Sequence, residues 1–235
     1  MRKNNFDIFD YILSLSNDDE TKSHYKSKVY KVTWEKLVLT YLIGGLVGTI
    51  WEVCLTLYKH HIFEFRNGSF FTPFNPVYGF GLCAIILFLH KLNTTKQIFF
   101  VGAVVGGSAE YILNFLQEKI LGSRSWDYSN RFLNINGRTT IPYCIFWGFG
   151  CVLVMKFIYP FIFEYISKIK PKAMKILGIV FIIVIIIDLF MTTGGLMRYN
   201  LRHEGIEPYT FIGKFFDYFF DDNRVELFFP NMKLT

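Results

Sequence analysis

Long apolar runs separated by short polar links fill most of this chain. Five runs, at about 37–58, 74–90, 97–117, 141–163 and 176–197, each hold at most one or two charges. About 20 apolar residues in helical form cross the ~30 Å hydrocarbon core of a bilayer. Backbone polar groups in that core must be satisfied within the segment itself, which favours helix. The pattern predicts an all-α, multi-pass membrane helical bundle of about five transmembrane helices. Residues 1–36 form a polar segment, in which Phe6, Phe9, Tyr11, Ile12, Leu13 and Leu15 suit a short interfacial helix. Residues 37–166 form a four-helix core, 167–197 the fifth helix and 198–235 a polar and aromatic tail. In the tail, Phe211, Ile212, Phe215, Phe216, Phe219 and Phe220 recur at helical spacing, with Lys214, Asp217 and Asp221 on the other face. That pattern suits a helix lying on the membrane or one packed on the protein's own surface.

Composition sharpens this picture. The chain has 235 residues, with 52% in the hydrophobic class, 27 Phe and 19% charged. The charged share is below the ~25% of soluble domains, so an ordinary soluble protein and a disordered chain are both excluded. The formal net charge is +6. Because the Lys residues sit at span ends, membrane topology explains the charge and no nucleic-acid partner is expected. With the N-terminus inside, eleven basic residues flank the inner ends (Lys22, Lys26, Lys28, Lys31, Lys36, Lys91, Lys96, Lys168, Lys170, Lys172 and Lys175). Eight flank the outer ends (Lys59, Arg66, Lys119, Arg124, Arg131, Arg138, Arg198 and Arg202). This bias predicts a cell-membrane protein with a cytoplasmic N-terminus, and Lys156 can snorkel to the inner surface. The N-terminus lacks a signal peptide's apolar run, so the first span is expected to act as the targeting signal. Cys54, Cys83, Cys144 and Cys151 lie in apolar runs without a CxxC pair, and read as small core residues.

Two halves of the core share a pattern. Gly44-x-x-x-Gly48-x-x-x-Glu52 matches Gly102-x-x-x-Gly106-x-x-x-Glu110. Asn67-Gly68, Pro73 and Gly79-Phe80-Gly81 match Asn136-Gly137, Pro142 and Gly148-Phe149-Gly150, once 11 residues inserted in the second half are allowed for. The expectation is a tandem duplication of a two-helix unit, 37–92 and 97–166. Two-span copies share one topology and are related by an axis along the membrane normal. Glycines four apart let helices approach closely in lipid, which assigns Gly44, Gly48, Gly102 and Gly106 to helix packing.

Three carboxylates interrupt the apolar runs: Glu52, Glu110 and Asp188. Each falls ~20–24 Å from the Lys that opens its span, at 1.5 Å per residue. Acids within a membrane are functional-site candidates by default. Crowded carboxylates need a cation between them. That cation is a side chain such as Arg138, Arg66, His60 or His61, or else a proton, a metal ion or a cationic substrate. The alternatives are an internal ion pair that fixes the helices, a substrate or ion pathway, and acid–base catalysis. The run from Pro73 to Gly81 cannot begin as regular helix, since two prolines remove donors. It is read either as a re-entrant segment lining a cavity or as a loop before a Pro-started helix.

Gly44–Glu52, Phe74–Gly81, Gly102–Glu110, Trp126-Asp127-Tyr128 and Asn134-x-Asn136-Gly137-Arg138 together resemble the CmpB-like family of type IV ABC-transporter permeases. The resemblance covers residues 40–165 and extends to the tail from Arg198 through Lys233. It implies transport with a separate nucleotide-binding ATPase subunit. No G-x-x-x-x-G-K-[ST] phosphate loop is present, so an ATPase would be another chain. The short inner links, 91–96 and 164–175, leave little surface on which to dock one.

The expected function is a permease-like protein that moves or binds a small substrate or ion. Glu52, Glu110 and Asp188 would form its polar site, lined or gated by Arg138, Asn75 and Asn136. The alternatives are an intramembrane enzyme acting on a lipid or isoprenoid head group, and a scaffold or regulatory subunit. No catalytic residue, metal site or cofactor is assigned, because the metalloprotease, hydrolase, EF-hand and dinucleotide motifs are absent.

Overall fold

The computed structural model describes residues 31–230 and 232–234; the N-terminal interfacial helix expected from Phe6 to Leu15 lies outside them. The described chain is a helical bundle: α1 (Trp34–His60), α2 (Pro76–Leu89), α3 (Thr95–Leu121), α4 (Ile141–Leu153), α5 (Tyr159–Ser167), α6 (Pro171–His203), α7 (Phe211–Phe219) and α8 (Asp222–Phe228). A π-helical turn, Val154–Ile158, joins α4 to α5. Pro160 stands two residues beyond its last residue, and its missing N–H breaks the α-helical ladder at that point. Four two-residue strands complete the fold. β2 (Asn134–Ile135) pairs with β3 (Thr139–Thr140), and β1 (Ser123–Arg124) pairs with β4 (Lys233–Leu234) in the tail.

Local chemistry sets the helix ends. Pro76 opens α2 behind Asn75, whose side chain accepts from the Val77 amide. Thr94 and Thr140 cap α3 and α4 in the same way. Gly122, at φ +60°, ends α3 in a left-handed turn.

Four helical runs are long and apolar enough to cross a membrane: Trp34–His60, Thr95–Leu121, Ile141–Ser167 and Pro171–His203. The expected second span differs, because α2 has only 14 residues, about 21 Å at 1.5 Å per residue. The reason lies at its start. The Asn75 amide donates to the Gly45 carbonyl (3.1 Å), and Phe74 packs against Gly45. Gly45 is 11 residues into α1, or ~16 Å, which is half of a ~30 Å core. α4 starts at a similar level, since a Cβ on Gly107, 12 residues into α3, would strike Cys144.

The links 61–75 and 122–140 therefore descend beside the C-terminal halves of α1 and α3. Irregular backbone at that depth needs protein partners, and it has them. The Phe70 amide donates to Thr192 (3.3 Å), the Phe71 amide to Asp188 (3.2 Å), and Thr49 to the Pro73 carbonyl (2.8 Å). In the second link, Asn114 donates to the Trp126 carbonyl (2.8 Å) and the Trp126 indole to the Arg138 carbonyl (2.9 Å).

The α1–α2 and α3–α4 hairpins pack through equivalent positions. A Cβ on Gly44 would meet Leu82, on Gly48 Tyr78, and on Gly79 Tyr41. In the other hairpin Gly102 meets Cys151, Gly106 meets Trp147, and Gly148 meets Phe99. The ring pair Tyr41–Phe80 has a counterpart in Phe99–Phe149, at 5.0 and 4.9 Å. Adding 58 to the α1 numbers and 69 to the α2 numbers converts one set into the other.

Two buried clusters lie at opposite ends. Ile86, Leu89, Ile98, Met155, Phe163, Ile166 and Met174 pack where α3 and α6 begin, and Lys156 reaches the Asn93 carbonyl there (3.3 Å). At the far end, Phe70, Leu196, Tyr199, Phe216, Phe220 and Val225 join α6 to the tail. Of the two tail readings, packing on the protein's own surface describes Phe216 and Phe220, which cover Gly194 and Gly195. Phe211 and Ile212 stay exposed. Asp217 does not face away as its spacing suggested. α6 runs past Met197 to His203, and this brings Arg198 and Arg202 onto the Asp217 carboxylate.

Candidate functional site

Glu52 lies seven residues past Gly45 and Glu110 three past Gly107, about two turns and one turn above the levels at which α2 and α4 dock. Glu52 accepts a hydrogen bond from the Tyr78 phenol. Glu110 accepts from Thr139 Oγ1 (2.6 Å) and from the Tyr128 phenol (3.2 Å). Tyr78 belongs to α2, Thr139 to β3 and Tyr128 to the second link. Each glutamate is thus met by hydroxyls of the chain that descends beside its own helix.

The Tyr128 phenol is pushed above its ordinary value. Burial is the main cause, followed by the charge of Glu110 and its hydrogen bond, then Tyr143 and Glu52. Both glutamates bear on this phenol electrostatically, but only Glu110 is hydrogen-bonded to it; Glu52 has Tyr78 as its own partner. Among the described residues, no Lys, Arg or His lies within ion-pair distance of Glu52, Glu110 or Asp188.

The remaining expected site residues have other partners. Asp188, buried on α6, accepts from the Phe71 amide and from the hydroxyls of Thr72 and Thr192. It anchors the first link, and no bond joins it to the glutamates. Asn75 is a helix cap whose Nδ2 donates to the Arg66 carbonyl (3.1 Å). Asn136 is exposed, sits at φ 51° in the β2–β3 turn, and donates to the Tyr111 hydroxyl (3.0 Å). Arg138 pairs with Glu118 instead of Glu52 or Glu110, and its guanidinium lies 5.4 Å from the Tyr111 and Phe115 ring centres. Gly44, Gly48, Gly102 and Gly106 sit where a side chain would collide with the opposing helix.

Sequence reasoning did not assign Tyr78, Tyr128 and Thr139 to the site. Tyr78 stands in the Pro73–Gly81 run, whose prolines direct attention to the backbone, and Tyr128 in a motif that carries the family resemblance. The available signal was a hydroxyl close to each half-helix start, at the depth of the acid on the preceding helix.

No metal-holding group of three or more His, Cys, Asp or Glu occurs among the described residues. A groove of about 430 Å³ runs beside Glu110, between one face of α3 and the β2–β3 hairpin, lined by Val104, Ser108, Tyr111, Ile135 and Thr139 among others.

The family model described as "Putative ABC-transporter type IV" matches residues 39–193, from α1 to the middle of α6. The chain belongs to this family. Its match takes in both hairpins, both glutamates and Asp188, and leaves the tail helices α7 and α8 outside. No curated protein and no solved structure matches the chain. Family membership and the long apolar helices together make this a membrane protein of transporter type.

Proposed function

We propose that this protein is a permease-type membrane component that binds a small cation, or a cationic substrate, at Glu52 and Glu110. One observation carries the reading. Each carboxylate is met by hydroxyls, Glu52 by Tyr78 and Glu110 by Tyr128 and Thr139, and no basic side chain among the described residues is close enough to neutralise either. In low dielectric such a carboxylate favours an external positive charge. Tyr78, Tyr128 and Thr139 orient the carboxylates and can turn their own oxygens to a ligand.

The matching packing of the two hairpins supports a duplication that carried one acid into each copy. The half-length entry of α2 and α4 supports a site reached from the outer side, as in transporters built from broken helices. Asp188 serves that site indirectly by fixing the first link, and Asn75 by fixing the start of α2. In this reading the N-terminus is cytoplasmic. An ATP-hydrolysing subunit would be a separate chain meeting the inner end near the 91–96 link and α5.

The test is equilibrium binding of radiolabelled tetraphenylphosphonium and of sodium to the full chain in lipid nanodiscs. Glu52→Gln and Glu110→Gln should each weaken binding of at least one of them roughly tenfold, about 1.4 kcal/mol. Both variants should remain monodisperse. Equal binding by wild type and both variants rules the site out.

A further inference from the structure

We infer that the groove beside α3 is a binding site for an outer-leaflet phospholipid, with the phosphate at Arg138 and one acyl chain running down the groove. The inference does not depend on cation binding at the glutamates.

The groove has the right length and level. Its α3 wall runs from Ala103 to Ile112, facing Ile135, Thr139, Ile141 and Cys144. Ala103 is 8 residues into α3 and Ile112 is 17, so the wall covers ~12 to ~26 Å from the inner end of the helix. That runs from just inside the midplane of a ~30 Å core into its outer half. Val104, Ile112 and Ile141 are exposed along it, on a surface that acyl chains cover in a bilayer. Ser108, small and exposed on the α3 wall, leaves the groove open at its middle.

The upper end carries the charge that a phosphate needs. Tyr111 lines the groove, and the Arg138 guanidinium lies against its ring. Glu118, the carboxylate of Arg138, also pairs with Arg124 at 2.8 Å, so one acid serves two guanidiniums. Lys119 is exposed on the same turn, while Asp127 is bound to the amide and hydroxyl of Ser129 (2.9 and 2.6 Å). Arg124, which also has Asp127 as an acidic neighbour, and Arg138 thus give this rim its guanidinium charge. Arg138 has donor capacity to spare at Nη1, whose one bond is a 3.3 Å contact to the Asn136 carbonyl. Glu118 is 23 residues into α3, or ~34 Å, which is head-group level. Phe132 and Leu133 are exposed on the same link. Cationic head-group contacts above an apolar channel are how membrane proteins hold anionic lipids.

The experiment is native mass spectrometry, with thermal melting, on delipidated full-length protein. The probes are dioleoyl-phosphatidylglycerol, dioleoylglycerol and glycerol phosphate. Wild type should hold one phosphatidylglycerol and melt higher with it. Ser108→Trp fills the groove at an exposed position without touching the Arg138–Glu118 pair. It should bind that lipid roughly tenfold more weakly and melt normally without lipid. Arg138→Gln should lose the preference for phosphatidylglycerol over dioleoylglycerol. Equal lipid binding by wild type and Ser108→Trp overturns the inference. So does glycerol phosphate competing as well as the whole lipid, which would mark a free-anion site.

Discussion

The Tyr78 phenol donates to Glu52 while its ring occupies the space that a Cβ on Gly48 would need. One side chain thus links the glycine pattern of α1 to its acid. Without a side chain at 48, α2 lies close enough for a tyrosine to reach across to a carboxylate four residues further along α1. In the other hairpin the same close approach, Gly106 against Trp147, brings an indole that makes no bond to Glu110; Thr139 and Tyr128 supply the hydroxyls instead.

Glycine substitutions should therefore separate into two classes. Gly48→Ala and Gly106→Ala place a methyl group against Tyr78 and Trp147, and overpacking of this kind costs ~1–3 kcal/mol. Gly81→Ala and Gly150→Ala have nothing within 4 Å of the new Cβ. They should be neutral or stabilising by up to ~1 kcal/mol through helix propensity. Melting temperatures of the four variants in one detergent check this. Gly48→Ala should also weaken cation binding, because it displaces Tyr78 from Glu52.

Asp188→Ala should loosen the first link. The carboxylate is the acceptor for the Phe71 amide and for Thr72. Removing it strands a donor at membrane depth, at ~1–3 kcal/mol. Hydrogen exchange over residues 66–75 should rise while exchange in α3 stays unchanged. Asp188→Asn keeps one acceptor oxygen and should fall between wild type and alanine. If the alanine variant instead abolishes cation binding and leaves exchange in the link untouched, Asp188 belongs to the binding site itself.

The helical spans were legible because apolar run length is a one-dimensional property. Residues 37–58 and 97–117 became α1 and α3 with little change beyond their polar caps. The glycine and glutamate spacing also carried through, since i, i+4, i+8 positions share a helix face whatever packs on it. Other features were set by contacts between distant segments. The run at 74–90 looked like a full span, yet the Asn75 amide docks on the Gly45 carbonyl and α2 starts halfway up α1. The choice of Glu118 as Arg138's partner depends on a 20-residue excursion through the β2–β3 turn. Asp217 looked solvent-facing because the spacing within α7 says nothing of how far α6 extends beside it.

The attachment of the tail should depend on pH in a predictable direction. Burial alone would raise the Asp217 carboxyl, but hydrogen bonds and charge from Arg198 and Arg202 outweigh it and hold the group below the ordinary carboxylate range. Asp217 accepts from Arg198 at 2.9 and 2.8 Å and also from Arg202, which goes on to bind Asp222 and the Phe220 carbonyl. A carboxyl lowered on folding adds stability that is fully present above its unfolded value of about 3.9. That contribution is lost as pH falls through the lower folded value. Between pH 7 and 5 the tail should therefore stay docked on α6, and below about pH 4 it should begin to release. The readout is cleavage after Phe216 and Phe220, which docking buries, by pepsin at acid pH values, each normalised to an unfolded substrate at the same pH. Asp217→Asn removes the titrating group and should expose these sites at every pH tested, with a flat profile. A wild-type profile as flat as the variant's, with the tail protected down to pH 2, would show that Phe216 and Phe220 hold α7 in place without the ion pairs.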